Sequence, residues 1–175
     1  MDPDPDPCPV LRRDDRRGGG IAPSANGEAI GTDLDALAAA VPERAGGLRR
    51  RDLSSWARGD AGHWSPGVAA SYPYEDDDLT IVVDDLIHVC SAEPGMGEVL
   101  QRRRLAASEG ARPVEVAGHP AVIGESPERG AELRAWINDR CAVRVSAFAP
   151  LAVVRSVADA IDWAALAAAC PAHAE

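Results

Sequence analysis

From Leu79 to Ala147 oily and watery side chains repeatedly change places every second residue, the pattern of strands that bury one face and wet the other. Leu79-Thr80-Ile81-Val82-Val83-Asp84-Asp85-Leu86-Ile87-His88-Val89 is rich in β-branched residues and sets Leu79, Ile81, Val83, Ile87 and Val89 on one parity. Ala69–Glu75 is its natural partner strand, which makes Asp76-Asp77-Asp78 the hairpin turn. Further on, Leu133, Ala135 and Ile137 alternate with Arg134 and Trp136. Asn138-Asp139 reads as a two-residue turn, and Cys141, Val143, Val145 and Ala147 then alternate with Arg144 and Ser146. Val114–Val116, a turn at Gly118-His119-Pro120, and Ala121–Gly124 lie between. Leu48–Leu53 reads as an edge strand guarded by charge, and Arg58–Gly67 as a loop.

Three helices accompany these strands. Thr32 can cap a helix running to Val41 before Pro42 stops it, and residues 97–108 form a middle helix ending near Gly110. Leu151 to Ala169 places Leu151, Val154, Ala158, Ile161 and Ala165 in one stripe, opposite Arg155, Asp159 and Asp162. Strands joined by turns, with N-terminal, middle and C-terminal helices packed against them, describe an α+β domain built on an antiparallel sheet. A chain of 175 residues has room for one such domain. Its expected extent is residues 31–170. Residues 1–30, where Asp alternates with Pro before a Gly run, are read as a disordered tail, and 171–175 as a second short tail.

The 18 basic residues are all arginine. Lysine is absent, which removes the phosphate-loop lysine, the pyridoxal Schiff base and lysine-activated serine chemistry. The net charge of -10 is concentrated in Glu75, Asp76, Asp77, Asp78, Asp84, Asp85 and Glu93, in a stretch with no arginine. Such a field repels nucleic acid and anionic lipid and attracts basic partners. The chain begins Met1-Asp2-Pro3-Asp4 and shows neither a basic-then-apolar leader nor an apolar run long enough to span a bilayer, so a cytoplasmic protein without membrane contact is expected. In that compartment Cys8, Cys90, Cys141 and Cys170 are reduced thiols; were the chain exported, Cys90 and Cys141 would be the pair to bridge.

Few constellations point to chemistry. Asp76–Asp78 with Asp84 and Asp85 offers carboxylates to a hard cation, but the spacing is not that of an EF-hand, and adjacent Asp84 and Asp85 face opposite ways along a strand. His88 and Cys90 share a face at two-residue spacing, a soft-metal or thiol geometry whose remaining ligands no spacing supplies. Gly124-Glu125-Ser126-Pro127-Glu128 lacks the closing glycine of a nucleophile elbow. The arginine triplets 49–51 and 102–104 are read as counter-charges to the acidic stretch or as interface residues. Trp136 stands on the outward parity of its strand and is the first choice for an aromatic anchor.

Several segments together resemble the PsbP-like α+β sandwich of small bacterial accessory proteins: the helix ending Ala39-Ala40-Val41-Pro42, the turn and strand from Tyr74 to Ile81, VEVAGHPAVIGE from Val114, the hairpin AELRAWINDRCAVRVSAF, and VRSVADAIDWAAL. The resemblance covers about residues 31–170. It implies a binding or assembly module with no catalytic set to carry over, and relatives that are often exported or lipid-anchored. The expected function is therefore non-enzymatic protein–protein contact, without cofactor or metal. Its docking surface is expected at Glu75, Asp76, Asp77, Asp78 and Asp85, with Trp136 beside it. Two alternatives stand: a metal-dependent or thiol enzyme using Asp84, His88 and Cys90, and an acidic inhibitor or immunity-type protein. The partner and the oligomeric state are not legible in the sequence.

Overall fold

The computed structural model describes residues 32–56, 66–85, 111–138 and 140–171. Among these residues the chain runs α1 (Leu34–Ala40), β1 (Arg44–Ala45), β2 (Leu48–Arg49), β3 (Asp52–Trp56), β4 (Gly67–Tyr74), β5 (Asp77–Asp85), β6 (Arg112–Val116), β7 (His119–Ser126), β8 (Gly130–Ile137), β9 (Cys141–Ala147), α2 (Leu151–Asp159) and α3 (Trp163–Ala169). Seven strands form one sheet in the order β3-β4-β5-β9-β8-β7-β6, and every described pairing is antiparallel. Antiparallel sheet plus helices is the α+β class that the alternation predicts. The expected middle helix, together with His88, Cys90 and the second arginine triplet, falls outside the described residues.

One parity carries the core. Leu79, Ile81 and Val83 of β5 face Tyr72, Ala70 and Val68 on β4, while Ile81 and Val83 meet Val145 and Val143 on β9. The row continues through Leu133 and Ala135 of β8 to Ile123 and Ala121 of β7, and all of these residues are buried. Each large aliphatic side chain so covered contributes roughly 1.5–3 kcal/mol of transfer free energy. Helix α2 lies against β8 and β9, and α1 against β4 and α3, so the helices cover that same face.

Several local expectations change. Asp33, not Thr32, caps α1, accepting from the Ala36 N–H at 2.9 Å; Thr32 is buried instead. The stretch read as one edge strand from Leu48 divides into a small hairpin, β1–β2 around Gly46-Gly47, and the true edge strand β3. The β4–β5 turn is Glu75-Asp76, one residue earlier than expected, because Tyr74 already pairs with Asp77. Similarly Ala117-Gly118 forms the β6–β7 turn, and His119 and Pro120 belong to β7.

The β8–β9 connection takes three residues, since Ile137 pairs with Cys141 and Arg140 N–H donates to the Ile137 carbonyl. Finally, the single C-terminal helix is two. Asp162 interrupts it: its side chain accepts from Ala165 N–H at 2.9 Å and caps α3, while its own N–H donates to the Ala40 carbonyl on α1. The break lays α3 against α1, which a straight continuation of α2 would miss.

A disulfide joins Cys141, the first residue of β9, to Cys170, the C-cap of α3. This overturns the expectation of reduced thiols for these two residues and gives Cys141 a different partner from Cys90, the candidate considered only for an exported chain. Both are fully buried, and the bond fastens the last helix to the centre of the sheet. No spacing in the sequence suggests it, because the two residues become neighbours only once α3 folds back.

Candidate functional site

The β4–β5 turn projects three exposed carboxylates, Glu75, Asp76 and Asp77, from one end of the sheet. Glu75 holds a positive φ of 52°, a backbone conformation in which a side chain is strained and glycine or asparagine is at ease. Next to them, Asp78 is partly covered and taken by Arg51, whose guanidinium also reaches Asp52 at 3.1 Å. Asp52 and then Asp78 hold the Arg51 guanidinium above its ordinary pKa. One arginine of the first triplet thus serves as counter-charge to the acidic stretch, and Arg50 spends its guanidinium on the Val41 carbonyl at 2.8 Å.

Phe148 completes this rim. It lies two residues past Ser146, whose hydroxyl is 3.1 Å from that of its partner Thr80, and so emerges at the end of the sheet from which the acidic turn projects. It is 56% exposed, an unusual position for the chain's one phenylalanine. Gly130 packs beneath it: a Cβ there would lie 2.2 Å from the Ala147 carbonyl oxygen and 2.8 Å from the Phe148 Cα, and its φ is +71°. Sequence reasoning gave Phe148 no role. The available signal was an aromatic residue just past the last inward residue of a strand and two before Pro150.

Two residues expected at the docking surface are elsewhere. Trp136 is on the outward parity as expected but is only 1% exposed, so it is covered and does not serve as a surface anchor. Asp85 occupies the inward parity and is completely buried. Arg140 grips it with Nε–Oδ1 at 3.0 Å and Nη2–Oδ2 at 2.7 Å, and the Thr32 hydroxyl donates to Oδ2. A carboxylate at a core position survives there because its charge is matched and its oxygens are hydrogen-bonded. Asp85 is thus a structural residue, linking the first described residue to the β8–β9 turn beside the disulfide.

Asp84 faces outward on β5, half-buried, with the Trp56 ring and its own Oδ1 both crowding the position of a Cβ on Gly67. Of the proposed Asp84, His88, Cys90 set it alone lies within the described residues. Among those residues no group of three or more His, Cys, Asp or Glu side chains is arranged to hold a metal ion. His119 stacks at 5.9 Å against Trp163, whose indole N–H donates to the Ala158 carbonyl at 2.9 Å, so this imidazole has a packing role.

The chain matches no family model, no curated protein and no solved structure. No described helix is long and apolar enough to cross a membrane.

The sheet face away from the helices carries a second feature. Its floor consists of three successive cross-strand pairs, Val122–Arg134, Gly124–Glu132 and Ser126–Gly130. These residues, with Arg129 from the connecting turn and Ala111, enclose a cleft of about 140 Å³. The Arg134 Nη2 donates to Glu132 Oε1 at 2.9 Å, and the backbone N–H of Arg129 donates to the Ser126 hydroxyl at 3.1 Å.

Proposed function

We propose that the protein is a non-enzymatic binding module acting by protein–protein contact, and that it docks a basic partner on the rim formed by Glu75, Asp76, Asp77 and Phe148. The observation that carries this reading is the exposed Phe148 beside an acidic turn whose backbone is strained at Glu75. Anchoring aromatic side chains supply much of the energy at interfaces, and a surrounding charge of one sign steers the complementary partner toward them. The PsbP-like resemblance supports the same class of role, and the acidic rim equally suits an inhibitor that covers a basic site.

A second reading concerns compartment. Disulfides persist where thiols are not continually reduced, so the Cys141–Cys170 bond favours folding in an oxidising compartment over the cytoplasm.

The docking reading is tested with a photo-cross-linking phenylalanine analogue placed at Phe148 and, as control, at the exposed Ala152 on α2, in the cells that produce the protein. A partner captured from position 148 alone, with a yield that falls when salt is raised before irradiation and is lost on reversing Glu75, Asp76 and Asp77 to arginine, supports it. Equal capture from both positions, or association indifferent to charge reversal, refutes it.

A further inference from the structure

Strand β3 ends the sheet, and its outer side is open. Tyr74 pairs with Asp77 across the two-residue turn Glu75-Asp76, so that pair exchanges hydrogen bonds, and the alternation runs along β4 and on into β3. Asp52, Ser54 and Trp56 therefore turn their backbone N–H and C=O groups toward β4, whereas Leu53 and Ser55 turn theirs away from it. Those outward groups have no partner among the described residues. Such an edge is commonly guarded by charge or by proline. Here the arginines that precede it are committed elsewhere: Arg49 belongs to β2, Arg50 donates to the Val41 carbonyl, and Arg51 is taken by Asp52 and Asp78. The opposite edge is closed. Counted from the two-residue turn Ala117-Gly118, Pro113 falls at a non-hydrogen-bonded pair with Val122 and sets its ring nitrogen, which carries no hydrogen, on the free side of β6.

Leu53 shows what the open edge lacks. It lies opposite Ala70, at the end of the buried row that continues through Ile81, Val145, Leu133 and Ile123, yet it is 39% exposed. We propose that a second copy of this chain pairs antiparallel with β3 about a two-fold axis through Ser54, joining two sheets into one. Leu53 of each copy then exchanges backbone hydrogen bonds with Ser55 of the other, which satisfies every outward group of these two residues. On the helix-covered face the two Leu53 side chains become diagonal neighbours within reach of each other, so the core row runs on across the joint. On the other face Ser54 meets Ser54 and Asp52 meets Trp56, with no like charges opposed. Neighbouring registers do worse. An axis through Asp52 sets its two carboxylates face to face, and one through Leu53 brings Ser55 to Arg51, whose N–H already donates to the Ser71 carbonyl at 2.8 Å. Because β6 is closed, association stops at the dimer, with the same surface used on both copies.

The test is sedimentation velocity on the full chain up to about 1 mM, with amide exchange followed over the same range, because edges of 5 residues bury little surface and bind weakly. A dimer should form as concentration rises. The Leu53 and Ser55 amides should gain protection with it, while Ser54, already bonded to β4, keeps its own. Salt separates this contact from the acidic rim: each copy carries a net charge of -10, so screening strengthens edge pairing, whereas it weakens docking of a basic partner. Ser55→Pro removes an outward N–H and none that faces β4, and should raise the dimer dissociation constant about tenfold or more. Leu53→Lys places a guard charge on the edge and should act alike, which keeps the test decisive where proline disturbs the strand. Thermal melts verify that the variants stay folded. A chain that remains monomeric throughout, a dimer that salt disperses, a dimer whose Leu53 and Ser55 amides exchange as in the monomer, or one that Leu53→Lys leaves unchanged overturns the assignment.

Discussion

Arg140 holds Asp85 in a two-pronged grip at the end of β5, with both side chains almost completely removed from water. Removing either partner strands a buried charge. Asp85→Ala or Arg140→Ala should each lower unfolding free energy by roughly 3–5 kcal/mol. The paired replacement Asp85→Val with Arg140→Leu should recover much of that loss. Urea denaturation of the three variants measures this, and additive losses in the double variant would count against the pairing.

The Cys141–Cys170 bond closes a segment of 29 residues. In the chain-entropy account, a loop of that length gives a stabilisation of about 3–4 kcal/mol. Reduction, or Cys141→Ser with Cys170→Ser, should lower stability by that amount and first free α3 from the sheet. Hydrogen exchange along residues 163–169, with and without reductant, follows the effect. Unchanged protection on reduction would show that packing alone holds the helix.

Ala117 adopts φ 49° in the β6–β7 turn and is exposed. The left-handed region costs a non-glycine residue about 1–2 kcal/mol, part of which the flexibility of glycine in the unfolded chain returns. Ala117→Gly should therefore stabilise by roughly 0.5 kcal/mol, whereas Ala117→Val should destabilise by more than that. Paired thermal melts reveal the sign.

Tyr72 is buried under α1, and its hydroxyl donates to the Pro42 carbonyl. Burial raises its pKa above the usual value near 10, opposed by the positive charge of Arg50. A raised folded-state pKa contributes stability that is whole below about pH 10 and is lost as pH climbs through the folded value. Tyr72→Phe should cost about 1–2 kcal/mol at neutral pH, through the lost hydrogen bond, and flatten the alkaline limb of the stability curve. Stability measured between pH 8 and 11 checks both effects, and an identical alkaline limb in the variant would assign it to other groups.

Much of the sheet was legible because alternation is a local signal: Leu79, Ile81, Val83, Leu133, Val143 and Val145 all lie on the buried parity that their spacing predicts. Asp85 shares that parity, yet as an acid it invites a surface reading; only its meeting with Arg140, 55 residues away, explains its burial. Trp136 was correctly assigned to the outer face, but which segment covers a face is decided by tertiary packing that periodicity does not encode. The helix break at Asp162 was written in a capping residue that also fits a solvated stripe, and the choice depended on the Ala40 carbonyl waiting on α1. The disulfide is hidden from the sequence because Cys141 and Cys170 meet only once α3 folds back over the sheet.

Strands β5 and β9 pair across the middle of the sheet although 55 residues or more separate their partners in the chain, as with Asp85 and Cys141. Each flanking group, β3–β4–β5 and β6–β7–β8–β9, is by contrast a run of near neighbours that can zip up quickly on its own. The Val83–Val143 contact is thus the latch at which two quick halves become one slow whole, since the entropy of joining distant ends must be met before that contact rewards it. Trimming either valine should retard assembly more than it hastens disassembly, and a nascent chain stays in two unlatched pieces until β9 has been synthesised.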